Sequence, residues 1–205
     1  MALKSLTVPI RRRPIPHSIA SFLRDAQDRV NDYVEHSRTR VAGFVPCDFV
    51  AAWHTLRVIS NRNLAAGQVF CEWGSGFGVV ACLASLLGFE AYGIEIEERL
   101  IDESRDLADA HGLPVEFALG SFIPDGTSHV IDEEYSSESF WLSDDTAPAY
   151  DELELWPEDF DIVFAYPWPN EETAIDRMFD ETAGTGALLL TYSQLDEVRI
   201  KRKIR

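Results

Sequence analysis

The stretch C-E-W-G-S-G-F-G-V, residues 71–79, decides how the rest of the chain is read. A short apolar run, Q-V-F-C-E-W (68–73), leads into Gly74, Gly76 and Gly78, and a longer one, V-V-A-C-L-A-S-L-L-G-F, follows from Val79. A strand that enters a glycine turn and leaves as a helix forms a corner. There a ligand can approach the backbone and meet the free N–H groups of the helix N-terminus. The spacing is G-x-G-x-G. The dinucleotide fingerprint G-x-G-x-x-G needs glycine where the chain has Val79, and no G-x-x-x-x-G-K-[ST] occurs, so both phosphate-binding patterns are disfavoured.

Outward from this corner the pattern alternates between strand and helix. Strands are expected at 68–73, 90–95, 114–119, 161–165 and 186–192, and helices at 76–87, 97–111 and 171–182. The tail V-R-I-K-R-K-I has period two, as a half-exposed edge strand would. Such alternation predicts an α/β fold with a doubly wound, mostly parallel, Rossmann-like sheet. Ahead of it, residues 17–40 and 48–60 carry apolar residues at helical spacing, and 1–16, with three prolines and R-R-R, read as an extended or mobile arm. The expected organisation is an N-terminal arm and helix over 1–43, then one ligand-binding domain over 44–205.

Residues 121–160 form a long acidic insertion between the third and fourth strands. They hold twelve Asp/Glu and no Lys/Arg, with Phe140, Trp141, Tyr150 and Trp156 interspersed. The aromatics imply that part of it folds, with a helix expected near 133–142.

The net charge is −17, but residues 1–43 carry +4 and 196–205 carry +3, leaving −24 on 44–195. A body of that charge repels a phosphate backbone, so a nucleic-acid partner is disfavoured. No apolar run reaches the roughly 18 residues of a membrane span. The N-terminus lacks a signal peptide's apolar core, so a cytoplasmic location is expected. Cys47, Cys71 and Cys82 form no C-x-x-C pair, and neither disulfides nor a metal site is expected.

Two carboxylates sharpen the glycine corner. Glu72 ends the first strand of the alternating region, and Glu95 ends the second, 17 residues after Gly78. A carboxylate at that second position can accept the hydroxyls of a nucleoside ribose. The third strand ends in Leu119-Gly120-Ser121-Phe122, where an adenine edge would lie. In this order and spacing, E-W-G-S-G-F-G, G-I-E-I-E and L-G-S-F resemble the class I S-adenosylmethionine-dependent methyltransferases over roughly residues 44–195. The resemblance implies that S-adenosyl-L-methionine is the cofactor. It gives Glu72, Gly74, Ser75, Gly76 and Gly78 to the methionine and ribose part, and Glu95 to the ribose hydroxyls, with Glu97 as the alternative. Ile96 and Phe122 would flank the adenine. Gly120 and Ser121 would stand at its amino edge, where the family commonly has Asp.

The fourth of these strands is where that family carries its acceptor-side motif, here D-I-V-F-A-Y-P-W-P-N-E-E (161–172). Only Pro167-Trp168 matches the [DNS]-P-P-[FYW] of amino-methylating members, and Ala165 stands where their polar residue would be. Tyr166 and Trp168 are therefore the candidate catalytic residues, able to box or stack on an acceptor. His54, His111 and His129 are secondary candidates for a base. Phe44-Val45-Pro46 followed by the glycine loop is also similar to protein-lysine methyltransferases of the Dot1 and ATP-synthase c-subunit type, although Phe77 replaces their usual Asp. The expected acceptor is a lysine-bearing protein or a small-molecule amine. The rival readings are a non-catalytic cofactor-binding regulator or scaffold, a nucleic-acid methyltransferase, and an NAD-dependent oxidoreductase.

Overall fold

A computed structural model describes residues 3–36, 44–134, 142, 149–193 and 197–205. Strands β1 (Leu3–Ser5), β2 (Val69–Trp73), β3 (Glu90–Glu95), β4 (Val115–Leu119), β5 (Ile162–Ala165), β6 (Leu188–Ser193) and β7 (Glu197–Lys203) make one sheet, in the order β1-β7-β6-β5-β2-β3-β4. The β4-β3-β2-β5-β6 portion is parallel, and β7 and β1 each pair antiparallel. This is the expected α/β class, with five strands close to their predicted positions.

Alternate residues of each strand feed two cores. On β5, Ile162 and Phe164 face one side while Val163 and Ala165 face the other; Leu188, Leu189 and Leu190 alternate in the same way on β6. The first side is covered by α1 (His17–His36), α2 (Phe49–Asn61), α3 (Val79–Leu86) and α4 (Glu98–Ala110). The second is covered by α5 (Ser128–Glu134), α6 (Tyr150–Leu153) and α7 (Glu172–Thr182). Strands buried on both faces read as continuous apolar runs, which is why the sequence shows them so clearly. Helix α2 begins at Asp48, whose Oδ1 accepts the N–H groups of Val50 (2.9 Å) and Ala51 (3.0 Å) and so satisfies two otherwise orphaned donors.

One expectation changes. The tail strand β7 is not an edge. Residues Leu3–Ser5 pair with it in the register Leu3↔Lys203, and the Leu6 N–H reaches the Ile200 carbonyl at 2.8 Å. The first residues of the arm are therefore part of the sheet, and Leu6, Val8, Ile10 and Ile15 pack against the first core. Three residues are too few to show a period, so nothing local marked them as a strand. In the acidic insertion helices lie at Ser128–Glu134 and Tyr150–Leu153; most of the helix expected near 133–142 falls on residues 135–141, Phe140 and Trp141 among them, which lie outside the described residues. Val130, Ile131, Tyr150 and Leu153 from the insertion are buried in the second core.

Gly78 is the hinge from loop to α3. It is the N-cap, at φ +64°, and a Cβ placed there would stand 2.4 Å from the Phe117 ring and 3.0 Å from Ser104 Cβ. Gly78→Ala combines a left-handed penalty with overpacking and should lower stability by about 2–4 kcal/mol. Urea unfolding measures this, and a change of less than about 0.5 kcal/mol, the usual size at an unconstrained surface position, would contradict the packing described.

Candidate active site

Chain order reverses between β2 and β5, because β2-β3-β4 run one way across the sheet and β5-β6 the other. Open α/β sheets bind ligands at such a switch point, beyond the carboxyl ends of the strands. A cavity of about 460 Å³ lies there. Its wall includes Glu72, Gly74, Ser75, Gly76, Glu95 and Ile96, together with Phe122 and the Tyr166 and Trp168 pair. One cavity thus gathers most of the residues selected from sequence. Gly78, Gly120 and Ser121 are not on its wall. Gly78 faces Phe117, the Gly120 N–H donates to the Glu95 carbonyl at 2.9 Å, and Ser121 Oγ accepts the Ile123 N–H at 3.1 Å.

The loop is held by the two carboxylates. Glu95 Oε2 accepts the Gly76 N–H at 2.8 Å, and its Oε1 accepts the N–H groups of Ile96 (2.8 Å) and Glu97 (3.0 Å). Glu72 Oε2 accepts the Ala81 N–H at 2.8 Å, inside the first turn of α3. Gly76 sits at φ +53°, and a Cβ there would stand 2.8 Å from the Phe44 ring, so a glycine is needed for Phe44 to close over the loop. The Ser75 hydroxyl is buried on the cavity wall with no hydrogen-bond partner among the described residues.

Burial also sets the electrostatics. It pushes the Glu72 carboxyl up to about 8 against the pull of the Ala81 N–H, and the nearby Glu95 charge adds to the push. Burial raises Glu95 as well, with the N–H groups of Glu97, Gly76 and Ile96 opposing. Among the described residues the wall carries four carboxylates, on Glu72, Glu95, Glu97 and Glu171, and no Lys, Arg or His. Cys47 lines the cavity too. Burial drives its thiol well above the usual range, with the Glu72 charge adding to the effect, so it is a protonated wall residue rather than a nucleophile.

Two aromatic groups shape the space. Phe122 stacks on Trp73 with centroids 5.3 Å apart and planes at 11°, which turns it toward the β2 end. Phe77 is 2% exposed and packs on Phe44 (5.4 Å) and Tyr33 (5.4 Å), clamping α1 and the 44–47 segment onto the glycine loop. This accounts for an apolar residue in the middle of the loop. Tyr166 meets Tyr192 edge-on at 4.9 Å.

No family model matches the chain. Over 72 residues it is 29% identical to a ribosomal protein L11 methyltransferase from Cupriavidus pinatubonensis, a match covering 35% of this chain. The match spans about a quarter, 24%, of that protein's length. A methyltransferase from Geobacter sulfurreducens superposes with TM-score 0.55 at 12% identity, covering 94% of this chain and 93% of that one. An S-adenosylhomocysteine-bound methyltransferase from Podospora anserina gives TM-score 0.51 at 14% identity, covering 86% of this chain and 62% of that one.

The chain has the methyltransferase fold. Within that fold, several wall residues were not selected as site residues from sequence: Phe44, Val45, Pro46 and Cys47, Leu142 and Glu171. Glu171 precedes α7, is 2% exposed, and accepts the Trp168 N–H at 3.0 Å and the Leu142 N–H at 3.2 Å. An acid three residues after Trp168, at the start of a helix, is the sequence signal that could have found it. The three histidines are elsewhere. His54 is buried in α2, His111 meets Asp25 at 2.9 Å, and His129 meets Glu181 at 3.3 Å.

The raised Glu72 makes stability depend on pH. Between about 4.5, where a glutamate in the unfolded chain titrates, and about 8, the folded protein holds a proton that the unfolded chain has lost. Stability therefore falls as pH rises through this window. Relative to Glu72→Gln, the wild type should lose on the order of 4 kcal/mol across it. Parallel stability–pH profiles for the two proteins would show that Glu72 is not held neutral by burial.

Proposed function

We propose that the chain is an S-adenosylmethionine-dependent methyltransferase acting on a protein lysine or a small-molecule amine. One observation carries this reading: a switch-point cavity whose wall, among the described residues, holds four carboxylates and no basic side chain. Buried carboxylates of this kind favour a cationic ligand. S-adenosylmethionine carries a sulfonium and an ammonium, and when bound it supplies an electrophilic methyl.

The residues present suit that ligand. Glu72, the glycine backbone and the orphaned Ser75 hydroxyl line the part of the cavity nearest β2 and would hold the amino-acid end. At the β3 end, Glu95 already accepts three N–H groups. A carboxylate offers about four acceptor sites. One hydroxyl of a ribose diol can then go to Glu95 Oε2, and the second falls to Glu97, which is exposed on the wall. Ile96 is 44% exposed at the cavity, an apolar surface that a purine ring would cover. Tyr166 and Trp168 stand at the β5 end, where they would orient the acceptor toward the methyl. The −24 carried by 44–195 supports an amine over a phosphate-bearing acceptor. The named target of the Cupriavidus relative, a ribosomal protein, agrees with a protein acceptor.

Calorimetry with S-adenosylmethionine and S-adenosylhomocysteine tests the reading. Both should bind, Glu95→Ala should weaken binding at least about tenfold, or 1.4 kcal/mol, and Glu97→Ala should weaken it less. Absence of binding at millimolar ligand would remove the assignment, and a Glu95→Ala effect within twofold would remove the ribose role.

A further inference from the structure

We propose that the N-terminal arm, the flank of α2 and the β1–β7 edge form a docking surface for the phosphate backbone of a nucleic-acid strand. The surface lies outside the cavity wall, and it concerns where a partner rests rather than which group accepts the methyl.

The charge of the chain is segregated. Residues 3–16, 48–64 and 198–205 hold eleven Lys/Arg against one Asp, so +10, and the rest of the chain carries −27. The fold brings these three distant segments together. Arg57 of α2 reaches the Arg11 carbonyl at 3.5 Å, and Arg12 meets Asp48 at 3.3 Å, so the arm lies along the helix. At the other end of α2, Arg62 is the C-cap, and the Leu64 carbonyl two residues on accepts from Arg202 of β7. Lys4 is opposite Arg202 in the antiparallel pair, which puts both side chains on one face of the sheet. Ile200, two residues from Arg202, lies in the first core, so that face is the α2 side.

The result is one strip: Arg12, Arg11, Arg57, Arg62, Arg202 and Lys4. Helix α2 alone gives it a length of about 20 Å. Lys4, Arg11, Arg12 and Arg62 are exposed, and Arg57 and Arg202 are half-buried. Asp48 is the one acid in these three segments, and it is engaged by the first turn of α2 and by Arg12. The positive field is felt inside the helix as well. After burial, the charges of Arg57 and Arg12 hold the His54 imidazole below its usual range, against the pull of Asp48. Lys201 and Lys203 do not contribute, because they point to the other face and bond Asp176 and the Asp180 carbonyl.

A strip of this length suits a partner that repeats its negative charge, as a phosphate backbone does. Five of the six residues are arginine, whose planar fork matches a phosphate group with two parallel hydrogen bonds. The acidic remainder then has an orienting role. It repels a backbone from the other faces and leaves this one as the approach.

The test is fluorescence anisotropy of the full chain with a labelled oligouridylate of about twelve nucleotides, within the usual footprint of a single-stranded site. No cofactor is added, so the outcome is independent of the methyltransferase reading. The wild type should bind at low salt and lose affinity steeply as salt rises. Removing two contacts in Arg11→Ala/Arg57→Ala should make the slope of log K against log salt shallower by about 1.4. Lys4→Ala/Arg62→Ala, at two exposed positions, should do the same and guards against a folding defect in the first variant. Arg177→Ala, on the α7 side, should change neither affinity nor slope. No binding at low salt, or slopes unchanged in both double variants, would overturn the surface. Polyglutamate competing as well as unlabelled oligouridylate would overturn the phosphate partner and assign the strip to an acidic protein.

Discussion

The hydrogen bond from the Gly76 N–H to Glu95 Oε2 is the contact on which the site depends. It ties the loop after β2 to the end of β3, across neighbouring parallel strands. Because the loop is pinned there, Phe44 can lie against the Cβ-free face of Gly76 and Phe77 can turn into the core. Those two rings and Tyr33 then fasten α1 and the 44–47 segment over the loop. Gly78 completes the corner by letting α3 start against Phe117 of β4. The glycines therefore divide their work. Gly76 shapes the cavity and Gly78 serves the packing beneath it.

The second constraint is charge. Glu72, Glu95 and Glu171 are each less than a tenth exposed, and all three face one cavity. Carboxylates are seldom this buried, because losing water disfavours the ionised form by several kcal/mol. The arrangement stores a demand for positive charge at the switch point. At the β3 end, Glu95 and Glu97 offer acceptors suited to a sugar diol.

Much of this is legible in the sequence because burial on both faces makes β2, β3, β5 and β6 read as apolar runs, and because Val79 rules out the dinucleotide spacing. Glu72 and Glu95 can be found from their position at strand ends alone. Other parts depend on contacts between distant segments. Strand β1 is three residues long and is made by pairing with β7, nearly two hundred residues away. Phe122 follows Ser121 in the chain and lines the cavity, but its stacking on Trp73, nearly fifty residues earlier, is a contact that adjacency does not show. Phe77 looked anomalous within a ligand loop only because its partners, Tyr33 and Phe44, lie more than thirty residues earlier. Glu171 escaped notice because an acid at the start of a helix is ordinarily a solvated one. The Leu142 N–H reaches it from nearly thirty residues earlier, a contact the local sequence does not show.

A crystal structure with S-adenosylhomocysteine bound tests the central claim most directly. The account predicts the ribose against Glu95 and Glu97, the amino-acid end along Gly74–Gly76 beside Glu72, and the sulfur facing the Tyr166–Trp168 turn. A ligand lodged elsewhere, or one in this cavity with its sulfur directed away from that turn, would contradict it.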